Sequence, residues 1–200
     1  MIKLSEVSKS YDGRVIITHL DLVIKAGERV CFTGPSGCGK TTLMRIAAGL
    51  ERPDSGNVSV QGKIAMLFQE DRLLPWCSAL ENIIAVGCPR ERAIYYLDRL
   101  RLSGEYDKLP SELSGGMSRR VAIARTLAFG GDIFLLDEPV RGLDDGTSES
   151  VLSLLREELQ GKTAIIISHS SEEITALASR IIEFDGTPLT IVSDKMQEKG

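Results

Sequence analysis

Eight residues, Gly34-Pro35-Ser36-Gly37-Cys38-Gly39-Lys40-Thr41, constrain this chain more than any other stretch. The spacing GxxxxGK[ST] prescribes a strand, a curled loop and a helix in that order. Residues 28–33 read as the strand, and residues 42–48 as the helix, closed by Gly49. Glycines at 34, 37 and 39 let the backbone curl until successive N–H groups face inward, where the amino end of the helix adds its positive field. The loop and Thr42 are therefore expected to cradle a polyphosphate. Lys40 would act catalytically as a point charge on the β and γ phosphates, while the Thr41 hydroxyl ligates a bridging Mg²⁺. At average glycine usage such a pattern arises by chance in roughly one chain of this length in a hundred.

The rest of the chain gives this loop an α/β setting. Residues 2 to 33 alternate apolar and polar positions, which predicts an antiparallel strand pair ahead of the loop. A short apolar strand is expected at 63–69. A mainly helical insertion then runs from about 70 to 128, and strands and helices alternate to the end: strand 132–136, helix 147–159, strand 163–168, helix 172–179 and two further strands. Within the insertion, one helix opens at Pro89 with Ala93, Tyr96, Leu97 and Leu100 on one face. Another runs from Gly116 to about Phe129, with Val121, Ala124 and Ala128 inward and Arg119, Arg120 and Arg125 outward. Ser170 and Glu173 have the spacing of a capping box. The alternation predicts a mostly parallel sheet covered by helices, in one domain spanning 1–200, with ligands at the carboxyl ends of the strands.

Bulk properties narrow the class further. No apolar run approaches the ~18 residues of a membrane span, and Met1 to Glu6 lacks the apolar region of a signal peptide, so a cytoplasmic location is expected. A formal charge of −4 gives no electrostatic footprint for nucleic acid, and no nucleic-acid partner is expected. The four cysteines have no metal-ligand spacing and read as free thiols. Cys38, beside a helix amino end, is expected to react with thiol reagents and to be protected by a bound nucleotide.

Ile133-Phe134-Leu135-Leu136 is an apolar strand that delivers Asp137 and Glu138 to its carboxyl end. Asp137 is placed to hold Mg²⁺, and Glu138, one residue on, to polarise an attacking water as general base. Further back, Leu113-Ser114-Gly115-Gly116-Met117 opens a helix, so Ser114 and the N–H groups of Gly115 and Gly116 form a second anion site.

On these motifs the chain, from Leu4 to about Leu189, resembles ATP-binding-cassette (ABC) ATPases, as the separate nucleotide-binding subunit of a transporter. The resemblance implies a P-loop NTPase of ABC type, with an antiparallel β subdomain and a helical subdomain beside the mostly parallel core. It also implies a head-to-tail dimer, because Ser114, Gly115 and Gly116 then serve the ATP held by the other subunit. By the same resemblance Tyr11 stacks on adenine, and Gln69 contacts both Mg²⁺ and the attacking water. Asp144 lies in the loop that bridges the two sites, and His169 is the switch histidine on the γ phosphate. His19 has no such position and reads as structural. Met117 stands where Gln is usual, Arg141 where a small residue is usual, and Ser170 where an acidic residue follows the histidine; none of these removes a catalytic group.

Glu70-Asp71-Arg72-Leu73-Leu74-Pro75-Trp76 is similar to the ATPase subunits of nitrate, sulfonate, taurine and related importers. It implies uptake of a small solute, with ATP and Mg²⁺ as cofactors and a location on the inner face of the cell membrane. The implied partners are a homodimer or paired ATPase subunit, transmembrane permease subunits, which would meet Trp76, and a solute-binding protein. A cytosolic ABC-type ATPase acting on nucleic acid or ribosomes is the alternative.

Overall fold

Residues 1–197 are described by the structure, a computed structural model. In chain order the strands are β1 (Ile2–Tyr11), β2 (Arg14–Ile24), β3 (Arg29–Thr33), β4 (Ser55–Val60), β5 (Ile64–Leu67), β6 (Ile133–Asp137), β7 (Thr163–Ile167), β8 (Arg180–Asp185) and β9 (Thr190–Met196). The helices are α1 (Lys40–Ala47), α2 (Ala79–Ile84), α3 (Arg90–Arg99), α4 (Gly115–Phe129), α5 (Asp145–Glu158) and α6 (Ser171–Leu177). No helix among the described residues is long and apolar enough to cross a membrane.

Two sheets form. The larger has the order β5-β6-β7-β3-β8-β9, parallel except for β9. The smaller is antiparallel, β2-β1-β4. β3, β6 and β7 are almost wholly apolar and buried, as strands covered on both faces must be. Period-two geometry then divides them between two cores. Ile133, Leu135, Ile165 and Ile167 face α1 and the antiparallel sheet, packing with Leu43, Met44, Ile2 and Leu4. Phe134, Leu136, Ala164 and Ile166 face the helical side, packing with Leu80, Leu97, Val121 and Leu155.

This arrangement brings three strand ends together. β3 lies between β7 and β8, with β6 beyond β7, so the loops after β3, β6 and β7 emerge side by side. Phe32 and Phe184 meet edge to face at 5.0 Å and lock β3 to β8, a contact worth about 0.5–1.5 kcal/mol beyond burial. Gly34 follows at once with φ +123°; a Cβ there would sit 2.0 Å from the Phe184 carbonyl oxygen, so only glycine permits the chain to leave β3 this close to β8.

Several expectations need correction. The antiparallel sheet has a third strand, β4, where two were expected; its exposed, polar sequence SGNVSV hides the pairing signal. The stretch before Pro89 contains α2, with Ser78 and Glu81 forming a reciprocal capping box. The arginines of α4 do not point outward. Arg119 is only 4% exposed, and Arg120 and Arg125 are half-buried with their guanidinium groups on backbone carbonyls. Those carbonyls lie in the loops around α4, and a helix-period pattern cannot see them. Ser170 caps α6 by accepting from the Glu173 N–H, but Glu173 turns away and accepts instead from the Val140 N–H at 2.8 Å.

Candidate functional site

The phosphate loop leaves β3 and enters α1 through Gly39, whose φ of +116° is left-handed. Pro35, Ser36 and Gly37 form its exposed rim, while Cys38 is buried beneath. The buried Lys40 ammonium lies at the loop's centre, donating to the carbonyls of Gly34 and Pro35 at 2.7 Å each. Cys38 Sγ is 3.7 Å from the same ammonium. The reagent-accessible thiol expected at Cys38 is therefore not what the structure presents; the sulfur is core packing.

A cleft of about 220 Å³ runs over this loop, lined by Tyr11, Ile16, Ser36, Gly37, Gly39, Lys40, Thr41, Thr42, Gln69, Asp137, Glu138, Ile167 and His169. Gly34, Pro35 and Cys38 complete the loop without lining the cleft. At its mouth Tyr11 is 42% exposed, and its hydroxyl donates to the Glu51 carboxylate. Partial burial, then Glu51, raises the phenol pKa, so this ring stays neutral.

On the cleft floor the Thr41 hydroxyl donates to Asp137 Oδ2 at 3.1 Å. Asp137 is 2% exposed. Burial raises its pKa and the Glu138 charge adds to the rise, while Thr41 and Arg119 oppose it. A carboxylate held in this way gains from a cation beside it. One carboxylate and one hydroxyl suit Mg²⁺, which takes few protein ligands and leaves the rest of its octahedron to phosphate and water. The described residues accordingly hold no cluster of three or more His, Cys, Asp or Glu of the kind a protein-caged metal needs.

Glu138 follows β6 in a left-handed conformation, φ +49°, fixed by its N–H to the Ile167 carbonyl at 3.0 Å. Three side chains converge on its carboxylate: Gln69 Nε2 at 3.5 Å, Arg141 Nη1 at 3.1 Å and His169 Nε2 at 3.9 Å. The Arg141 side chain is 62% exposed, so its ion pair is worth about 0–1 kcal/mol and leaves the carboxylate free to exchange partners. A second cleft of about 490 Å³ adjoins the first, sharing Ser36, Gln69, Glu138 and His169.

The remaining sequence-nominated residues lie elsewhere. Ser114 caps α4 by accepting from the Met117 N–H at 3.2 Å, and a Cβ on Gly115 would meet open space. Gly116 backs onto Leu143 and Gly142. Asp144 caps α5 through the Thr147 N–H at 3.0 Å, which lowers its pKa. None of the four lines either cleft. His19 is exposed and pairs with Glu6 at 3.0 Å, away from the clefts. Trp76, on the loop after β5, is 74% exposed.

Sequence reasoning gave two buried charged groups, Arg119 and Glu173, no part in the site. Each bonds to the backbone of the turn after β6: Arg119 to its carbonyls and Glu173 to the Val140 N–H. Burial raises the Glu173 pKa and lowers that of Arg119, and each is partly restored by the other's charge. The one available signal was that a polar residue sits at a position where helix periodicity runs into the core.

A phosphate loop, a buried carboxylate bonded to its threonine and a glutamate poised beside both define a nucleotide-hydrolysing cassette. Residues 17–141 match the family model described as ABC transporter. The chain is 40% identical over 190 residues to the aliphatic sulfonates import ATP-binding protein SsuB 1 of Rhodococcus jostii (strain RHA1), covering 90% of this chain and 78% of that protein. It is also 40% identical over 194 residues to the aliphatic sulfonates import ATP-binding protein SsuB of Cupriavidus pinatubonensis (strain JMP 134 / LMG 1197), covering 90% of this chain and 64% of the relative. Among solved structures, the dimeric post-hydrolysis state of the ATP-binding cassette MJ0796, bound to ADP and Pi, superposes with a TM-score of 0.90 at 30% identity over the full length of both chains. The chain belongs to the ABC transporter family. It is an ATP-binding and ATP-hydrolysing subunit of a transporter.

Proposed function

We propose that two copies of this chain, or one copy and a paired ATPase subunit, sandwich two ATP molecules head to tail and drive uptake of a small solute. The observation that carries this reading is the separation within one chain of two half-sites. The cleft gathers Lys40, Thr41, Asp137, Glu138, Gln69 and His169, whereas the exposed Ser114, Gly115 and Asp144 and the half-buried Gly116 lie outside it. Two-fold pairing supplies the second half to each cleft. Aliphatic sulfonates are the solutes in the relatives' names, and sulfonates or similar small organic anions are the cargo we favour.

In this reading Tyr11 stacks on the adenine, and the backbone N–H groups of the loop from Gly34 to Thr42, Pro35 having none, hold the phosphates. Lys40 exchanges its loop carbonyls for β and γ phosphate oxygens. Thr41, Asp137 and Gln69 would hold Mg²⁺, which when bound would supply neutralisation of phosphate charge. Glu138 accepts the proton of the attacking water, with Gln69 orienting that water. His169 donates to the γ phosphate and steadies Glu138. Each γ phosphate also meets Ser114, Gly115 and Gly116 of the other subunit, so hydrolysis removes the bridge and lets the pair open. The helices between β5 and β6 act as the helical subdomain and, with the exposed Trp76, receive a transmembrane permease on the inner face of the membrane. A solute-binding protein outside would select the cargo.

Co-purification from detergent-solubilised native membranes tests this reading. A polytopic permease should accompany the tagged chain, together with a solute-binding protein. Recovery only with ribosomal or DNA-processing proteins would overturn the importer reading and leave the ATPase assignment standing.

A further inference from the structure

Arg119 is the fifth residue of α4, on the face that buries Ala122, Ile123, Thr126 and Leu127, and is only 4% exposed. On one side its guanidinium donates to the carbonyls of Asp137 at 2.5 Å, Glu138 at 2.7 Å and Pro139 at 3.2 Å. On the other it donates to the carbonyls of Phe68 at 2.6 Å and Gln69 at 3.4 Å, and to the Asp71 carboxylate at 3.2 Å. A single rigid fork of five N–H donors thus spans the segments that carry Gln69 and Glu138. A lysine ammonium, with three donors on a flexible stem, cannot cover both.

Glu138 needs such a clamp. Its left-handed φ of +49° costs a non-glycine residue about 1–2 kcal/mol, and strain of that kind persists only where the surroundings over-determine it. Here the Glu138 N–H is tied to Ile167, the carbonyls of residues 137–139 to Arg119, and the Val140 N–H to Glu173. Removing Arg119 takes a donor from three consecutive carbonyls, of which that of Glu138 keeps the Arg141 N–H at 3.2 Å, so the turn has reason to relax toward ordinary backbone.

We propose that Arg119 is a positioning residue that sets Glu138 and Gln69 relative to each other and ties that setting to the helix beginning at Ser114. This rests on Glu138 acting as the general base. The consequence is mechanical: nucleotide of the other subunit, bearing on Ser114, Gly115 and Gly116, acts through five residues of helix on the peptide that aims Glu138.

The test is single-turnover ATP hydrolysis and equilibrium binding of a fluorescent ATP analogue by the purified full chain, using Arg119→Met, Arg119→Lys, Glu138→Gln and the Arg119→Met, Glu138→Gln double variant. Arg119→Met should lower the hydrolysis rate about 100-fold, the scale of a 1 Å misplacement. Its ATP affinity should stay within about twofold of wild type, the scatter of independent sites. In the Glu138→Gln background the same substitution should change the residual rate by less than about twofold, because there is no longer a base to misplace. Arg119→Lys, which keeps the buried charge, should fall between and carries the test if the methionine variant does not fold. A wild-type rate in either single variant, a parallel loss of affinity and rate, or an undiminished loss in the Glu138→Gln background would overturn the proposal. A wild-type rate in Glu138→Gln alone would instead overturn the general-base reading.

Discussion

Replacing Asp137 by asparagine should make the protein more stable and unable to hydrolyse ATP. Asp137 is buried, and burial is the largest cause of its raised pKa, with the Glu138 charge adding to it. A carboxyl whose pKa rises on folding stabilises the fold only while protonated, below its unfolded value, and that contribution is lost as pH climbs through the folded value. At neutral pH and without a cation, the ionised group is therefore a net cost. An effective desolvation penalty of several kcal/mol is offset by about 1 kcal/mol of charge assistance in the Thr41 hydrogen bond and by attraction to Arg119 and Arg45. A net gain of about 1–2 kcal/mol in the Asn variant is the remainder, and for a domain of this size it raises Tm by about 2–8 °C. The assay is thermal unfolding at neutral pH in the presence of a chelator, repeated toward acid pH, where the difference should shrink as wild-type Asp137 takes up its proton. MgATP should then stabilise wild type more than the variant. A Tm that falls by more than about 2 °C on substitution would show that the hydrogen bond and arginine attraction outweigh desolvation, and would refute the reasoning.

Three other outcomes follow from the geometry. Tyr11→Ala should weaken ATP binding by about 5- to 150-fold, the loss of one base-aromatic stack worth about 1–3 kcal/mol, while Tyr11→Trp retains affinity; isothermal titration decides. Cys31 is buried with its thiol pKa pushed up to about 12, Cys38 and Cys88 are buried and Cys77 is half-exposed, so a native thiol titration should find one fast-reacting group, and two or more would contradict this packing. Gly34→Ala should abolish ATP binding and cost about 2–4 kcal/mol of stability in urea unfolding, since its methyl group would strike the Phe184 carbonyl oxygen, a backbone atom that cannot turn aside.

What was legible in the sequence, and what was not, divides along physical lines. Asp137, Glu138 and His169 could be put at strand ends because apolar runs and their polar exits are local patterns, and β6 and β7 carry them strongly. That β3 sits between β7 and β8 is a long-range fact with no local signature, yet it is what brings the three loops together. β4 escaped notice because SGNVSV pairs through its backbone with β1 while exposing most of its side chains. Arg119 was misread for the opposite reason: periodicity assigns charge to solvent, but the carbonyls that turn inward after β5 and β6 make a polar hole in the core that only a guanidinium fills. Glu173 had a legible local use as a cap partner, and a non-local one, the Val140 N–H, displaced it.

The central claim is that each ATP is hydrolysed at a site completed by a second subunit, and complementation between two variants tests it most directly. Ser114→Arg spoils the half-site lent to the partner, while Glu138→Gln spoils the chain's own cleft. Each alone should be inactive. Mixed in equal amounts, they form heterodimers in which the Glu138 of one chain faces the Ser114 of the other, and ATPase activity should return to roughly a quarter of wild type, given random pairing and one sound site per heterodimer. Hydrolysis by Ser114→Arg alone at the wild-type rate would show that one chain contains the whole site, and would contradict the account.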